Sequence, residues 1–202
     1  MPGPISRGPE AGPKPRAATK EPTTDATRTA PTMTTADRDE AMPAPIVSSP
    51  MAIEEGWIDY NGHLNMAYYL VAFDVGSEEA YNLLRIGRYY IGTHNHTFMN
   101  VAVHMTYQRE LMQTDPYRVL TRVLDVDDKR CLMFNEMVHG EEGWLAATME
   151  TMILNVSMET RRVAAWPADI RAHLEAAKAA QAHLEWPKQA GHAIQMPPPK
   201  KA

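Results

Sequence analysis

Asp59-Tyr60-Asn61-Gly62-His63-Leu64-Asn65, running directly into Met66-Ala67-Tyr68-Tyr69, is the stretch on which the reading of this chain turns. Asn61-Gly62 is a strong local turn signal, because glycine reaches backbone angles closed to most residues. After the turn, Met66, Tyr69, Leu70, Phe73, Ala80, Leu83 and Leu84 recur at three- and four-residue spacings, the period of a helix with one buried face. The pattern predicts a helix of roughly five turns, with Asn65 as its N-cap and Gly87 as its C-terminal glycine. The turn therefore gathers a carboxylate, an imidazole and two amides at a helix start, where unpaired backbone N–H groups face any nearby anion.

On the N-terminal side, Ile46 to Ile58 reads as a first strand, with Pro50 restricting it to an edge or an irregular entry. On the C-terminal side the period switches to two beyond Gly92. Met99, Val101, Val103, Met105 and Tyr107 alternate with Asn100, Ala102, His104 and Thr106, as in a strand with one buried face. Tyr117 to Val126, Arg130 to His139 and Trp144 to Val156 read as three more strands, separated by Asp127-Asp128 and Gly140-Glu141-Glu142-Gly143. Such short turns make these strands antiparallel neighbours. Pro167 opens a second helix, Ala168 to about Leu184, with Ile170, Leu174, Ala177 and Ala180 on one stripe. The expected fold class is α+β: a five-stranded antiparallel sheet around a long central helix, plus a C-terminal helix.

Residues 1–45 are rich in Pro, Ala and Thr and hold almost no large apolar side chain, so they are expected to form a disordered extension. The domain is expected over residues 46–186, with residues 187–202 as a C-terminal tail. A chain of 202 residues with net charge −5 lacks the basic face that nucleic-acid binding needs. No apolar run is long enough to span a membrane. The single cysteine, Cys131, can build neither a disulfide framework nor a thiolate metal site, and no helical histidine pair with a third ligand is present. A cytoplasmic protein without metal or cofactor is expected.

The strings Trp57-Ile58-Asp59-Tyr60-Asn61-Gly62-His63-Leu64-Asn65, Tyr107-Gln108-Arg109-Glu110-Leu111 and Trp144-Leu145-Ala146-Ala147-Thr148 resemble the hot-dog-fold acyl-CoA thioesterases of the 4-hydroxybenzoyl-CoA thioesterase type. The likeness is closest to the betainyl-CoA thioesterases of carnitine catabolism and covers roughly Ile46 to Ala193. It implies a sheet wrapped around a central helix, hydrolysis of an acyl-CoA, and pairing into a homodimer or homotetramer with pockets at the subunit boundary.

Thioester hydrolysis needs a base or nucleophile and donors for the developing oxyanion. Asp59 is the candidate base or nucleophile, with His63 and Asn65 orienting it or the carbonyl. The N–H groups around Gly62 and His63 are the candidate oxyanion donors. Asp59 could equally close an Asx-turn or cap the helix. Asp74 and Glu78, one turn apart, are the alternative carboxylates. Trp57, Tyr60, Tyr68, Tyr69, Phe73 and Tyr107 are candidates for holding the acyl group, a quaternary ammonium being well suited to aromatic faces, and Asp74 could add a counter-charge. Arg109, Arg118, Arg122, Lys129 and Arg130 are candidates for the CoA phosphates. The competing readings are a hot-dog acyl-CoA hydratase and a non-catalytic acyl-CoA-binding domain.

Overall fold

The computed structural model describes residues 41–196, so the expected extension lies outside the described residues up to residue 40, as do residues 197–202. In chain order the elements are β1 (Ile46–Val47), a 3-10 turn (Glu55–Trp57), α1 (Met66–Leu83), α2 (Tyr90–His94), β2 (His96–Tyr107), β3 (Tyr117–Val126), β4 (Arg130–His139), β5 (Leu145–Ser157) and α3 (Ala168–Ala180). The five strands form one sheet in the order β1-β3-β4-β5-β2, with every pairing antiparallel. The helix α1 lies across β3 and β4, and α3 packs against β3. This is the hot-dog arrangement, a sheet curled about one central helix.

The packed face of α1 consists of Tyr69, Ala72, Phe73, Gly76, Ser77, Ala80 and Tyr81, a stripe at helical spacing. Met66, Leu70 and Leu83, expected on that stripe, are exposed instead. Gly76 is what lets the helix come so close to the sheet: a Cβ there would overlap the Val119 side chain and sit 3.0 Å from the Met51 methyl. Toward the N-terminal end of α1 the core is built from Leu64, Tyr69, Phe73, Leu111, Tyr117 and Met137. Toward its C-terminal end Leu84, Tyr90, Cys131, Met133 and Ile153 meet Ile170 and Leu174 of α3. A buried polar cluster includes Asn135 Oδ1, which accepts from Thr121 Oγ1 at 2.8 Å and from Ser77 Oγ at 3.4 Å. Burial, helped by the nearby charges of Asp74 and Glu54 respectively, pushes the Tyr81 and Tyr117 phenols up to about 12, so both are neutral core residues.

Further expectations need correction. The first strand is only Ile46–Val47, continued by an isolated bridge from Met51 to Tyr117, because the chain then turns away from the sheet towards the Asp59 turn. The helix ends at Leu83, and the left-handed residue that closes it is Arg85 (φ 60), not Gly87. Gly87 is needed for a different reason: a Cβ there would collide with the Asn82 side chain. The alternation along β2 is broken by a bulge between Asn100 and Ala102, so Phe98 packs against Tyr81 while Val101 stays exposed.

β2 pairs only with β5, leaving its other edge without a partner among the described residues over a 12-residue strand. Met99, Val101, Val103 and Tyr107 on that strand are exposed, as are Met66 and Leu70 on α1. The opposite face of the sheet is partly covered by chain beyond α3. There Ala190 packs with Leu124 and Phe134, Arg122 Nη1 donates to the Glu185 carbonyl at 2.8 Å, and the Gly191 N–H donates to Glu150 at 2.8 Å.

Replacing Gly76 by alanine forces α1 off the sheet. The expected outcome is a loss of about 1–3 kcal/mol of folding stability, read as a lower urea midpoint at unchanged slope.

Candidate active site

The turn after Ile58 is held by its own backbone. Asp59 N–H donates to the His63 carbonyl and Gly62 N–H donates to the Asp59 carbonyl, each at 3.0 Å. Gly62 has φ 87, in the left-handed region where a side chain is strained. Asp59 Oδ1 accepts from the Asn61 N–H at 2.7 Å, closing an Asx-turn. The other carboxylate oxygen, Oδ2, faces His63 Nδ1 at 3.8 Å. One oxygen of the carboxylate fixes the turn, and the other is not needed for it. Asn65 is the N-cap, its Oδ1 accepting from Ala67 N–H at 2.9 Å, so its amide is committed to starting α1.

The segment after β2 closes over this turn. Leu64 N–H donates to the Leu111 carbonyl at 2.8 Å, and the Leu111 N–H donates to the Tyr69 hydroxyl at 3.2 Å. Between the two segments lies a cavity of about 370 Å³ lined by Asp59, His63, Leu64, Met66, Tyr69, Tyr107, Gln108, Arg109 and Glu110. Its floor is aromatic: Tyr69 and Tyr107 meet edge to face, with ring centres 5.2 Å apart. Burial raises the Tyr69 phenol above its ordinary value, against the lowering effect of the Leu111 N–H, and the neighbouring Glu110 charge adds to the rise. Tyr69 is therefore a neutral hydroxyl that accepts from the backbone and keeps a proton to donate.

The wall opposite Asp59 carries the second carboxylate. Glu110 Oε2 lies 3.8 Å from His63 Nε2, so the imidazole stands between two acids. Arg109 also lines the cavity, but its guanidinium lies over the Trp144 ring, 4.0 Å from the centroid. Trp144 in turn packs on His139, whose Nδ1 accepts from the Glu142 N–H at 3.0 Å. The β4–β5 hairpin thereby anchors the 108–111 segment.

Of the residues singled out from sequence, Asp59, His63, Tyr69 and Tyr107 meet at this cavity. Gly62 is in the turn beside it, but its N–H is taken by the Asp59 carbonyl. The His63 N–H has no hydrogen-bond partner among the described residues and is the better placed of the two expected oxyanion donors. Phe73 is wholly buried in the core, and Tyr60 is 97% exposed at the tip of the turn. Trp57 and Tyr68 stack on each other, 6.1 Å apart, outside the cavity. Asp74 lines a separate small cleft with Leu70, Tyr81 and Val103 between α1 and β2. Glu78 pairs with Arg88 at 2.8 Å. Of the basic candidates, Arg118 is turned onto the Ser48 carbonyl, Arg122 onto Glu185 and Arg130 onto Asp127. Sequence reasoning gave Gln108 and Glu110 no role at the site and named Arg109 only for the CoA phosphates. The available signal was the run of three polar residues that breaks the alternation at the end of β2.

Residues 53–174 match the thioesterase-like superfamily, and the chain belongs to that family. It is similar to the L-carnitine dehydrogenase/betainyl-CoA thioesterase of Ruegeria pomeroyi, at 31% identity over 76% of this chain and 31% of that protein. The chain therefore spans less than a third of that relative. It is also similar to the betainyl-CoA thioesterase of Pseudomonas aeruginosa, at 28% identity over 70% of this chain and 89% of that protein. Among solved structures, a Staphylococcus aureus protein in complex with CoA superposes with a TM-score of 0.69 at 26% identity, over 77% of this chain and 98% of the other. The fold is that of hot-dog thioesterases.

Tyr69→Phe removes the acceptor of a buried backbone N–H. The expected cost is about 1–2 kcal/mol, measurable as a fall in the urea midpoint.

Proposed function

We propose that the protein hydrolyses an acyl-CoA thioester to the free acid and CoA, with betainyl-CoA as the leading candidate among small acyl-CoAs. The observation that carries this reading is the divided role of Asp59, which spends Oδ1 on the turn and presents Oδ2 to a cavity at the start of α1. As a base, Oδ2 takes a proton from water while the water oxygen bonds to the acyl carbon. As a nucleophile, Oδ2 bonds to that carbon itself and water later cleaves the resulting anhydride. In either case the carbonyl oxygen becomes an oxyanion, the carbon–sulfur bond breaks, and the thiolate leaves and takes up a proton. The His63 N–H is the donor offered to the oxyanion, beside the positive end of α1, and such a donor is worth about 2–4 kcal/mol to the transition state when well aimed.

The betainyl reading is supported by the names of the Ruegeria and Pseudomonas relatives and by the cavity itself. Two carboxylates beside two tyrosine rings suit a small cation. The protein is further proposed to act as a homodimer. A long, apolar strand edge exposed to water is an association hazard unless another strand covers it, and a second copy placed along β2 would cover that edge together with the exposed flank of α1.

Asp59→Asn preserves an oxygen for the Asx-turn and removes the charge. Release of free thiol from betainyl-CoA is expected to fall about 100- to 10,000-fold with folding unchanged, whereas unaltered turnover would move the chemistry away from Asp59. In sedimentation equilibrium the wild type is expected to be at least dimeric. Val103→Lys, which places a charge on the exposed edge, is expected to shift the mass toward one chain.

A further inference from the structure

We propose that Glu110 is the specificity-determining residue of the site, the carboxylate that reads the positive charge of the acyl group. This inference rests on the hydrolase reading above and names the side chain that would select within it. The geometry divides the acids by position. Asp59 and Glu110 stand on opposite nitrogens of His63, each 3.8 Å away. Asp59 is tied to the turn and 12% exposed, while Glu110 is 66% exposed at the cavity rim and has no hydrogen bond among the described residues fixing its carboxylate.

In a betainyl group the nitrogen is two bonds from the acyl carbon, about 2.5 Å by ordinary bond lengths. With the thioester carbonyl held at Asp59, the ammonium stays within the cavity that Glu110 also lines. A quaternary ammonium donates no hydrogen bond, so it needs a nearby negative charge and apolar or aromatic walls. Met66, Tyr69 and Tyr107 supply those walls. Arg109, the cation on the same wall, lies over Trp144 and forms no ion pair with Glu110 among the described residues. Glu110 is exposed while the cavity is open to solvent. A bound acyl group displaces water from it, and the attraction strengthens as the local dielectric falls.

The test compares two thioesters of equal shape: betainyl-CoA and tert-butylacetyl-CoA, in which a carbon replaces the charged nitrogen. The ratio of their kcat/KM values is measured for the wild type, Glu110→Gln and Glu110→Asp. The expected result is a wild-type preference for the cation that falls about tenfold in Glu110→Gln and is largely retained in Glu110→Asp. A residue that merely positions His63 would slow both substrates equally and leave the ratio unchanged, as would a purely structural role. Either result overturns the proposal. A wild type that turns over both thioesters equally also overturns it, while leaving the hydrolase reading intact. If neither thioester is cleaved, the hydrolase reading fails, and calorimetric titration of the same two compounds into the same three proteins decides whether Glu110 selects for charge in binding.

Discussion

The two backbone polar groups of one buried residue, Leu111, hold the site together. The Leu111 carbonyl accepts from Leu64 at the end of the turn, and its N–H donates to Tyr69 in the first turns of α1. These two bonds join segments distant in sequence: the turn bearing Asp59 and His63, the helix start, and the polar run after β2. The Leu111 side chain is wholly buried beneath them, packed with Leu64, Tyr69 and Phe73. Without that clamp the turn would still form locally and the helix would still be capped, but no cavity would lie between them.

The division of labour follows from where each group is fixed. Backbone amides and the Asn65 cap set the helix start. A core of apolar side chains, with Gly76 at its closest approach, sets the distance from helix to sheet. Around the cavity the charged groups are held less tightly, through one oxygen of Asp59 and through the Arg109–Trp144 contact. A rigid frame with adaptable charges at its rim is how one scaffold can serve several acyl groups.

Much of this was legible in the sequence. The cap at Asn65 was readable because a short polar side chain before a helical period has few other uses. The boundaries of β3 and β4 were readable because turn residues bracket two ten-residue runs rich in apolar side chains. What local pattern could not show was set by tertiary placement. Arg85 adopts the left-handed angle expected of a glycine, while Gly87 answers to the nearby Asn82 side chain. Phe73 and Tyr69 have the same character in sequence, yet one is sealed in the core and the other lines the cavity, because they sit one helical turn apart relative to the segment after β2. Glu110 stood in a resembling string with no role of its own, and it meets His63 because Leu111 holds its segment against the turn.

The lone cysteine has a practical consequence for how this protein can be observed. Cys131 is inaccessible to solvent, packed between α3 and the sheet, and burial pushes its thiol well above the ordinary value. Only the thiolate attacks disulfide reagents at a useful rate. The native protein is therefore silent to a thiol-trapping dye, and in a hydrolysis assay every chromophore released reports CoA. The same dye becomes a clock for unfolding, because Cys131 can react only once the core that surrounds it has opened.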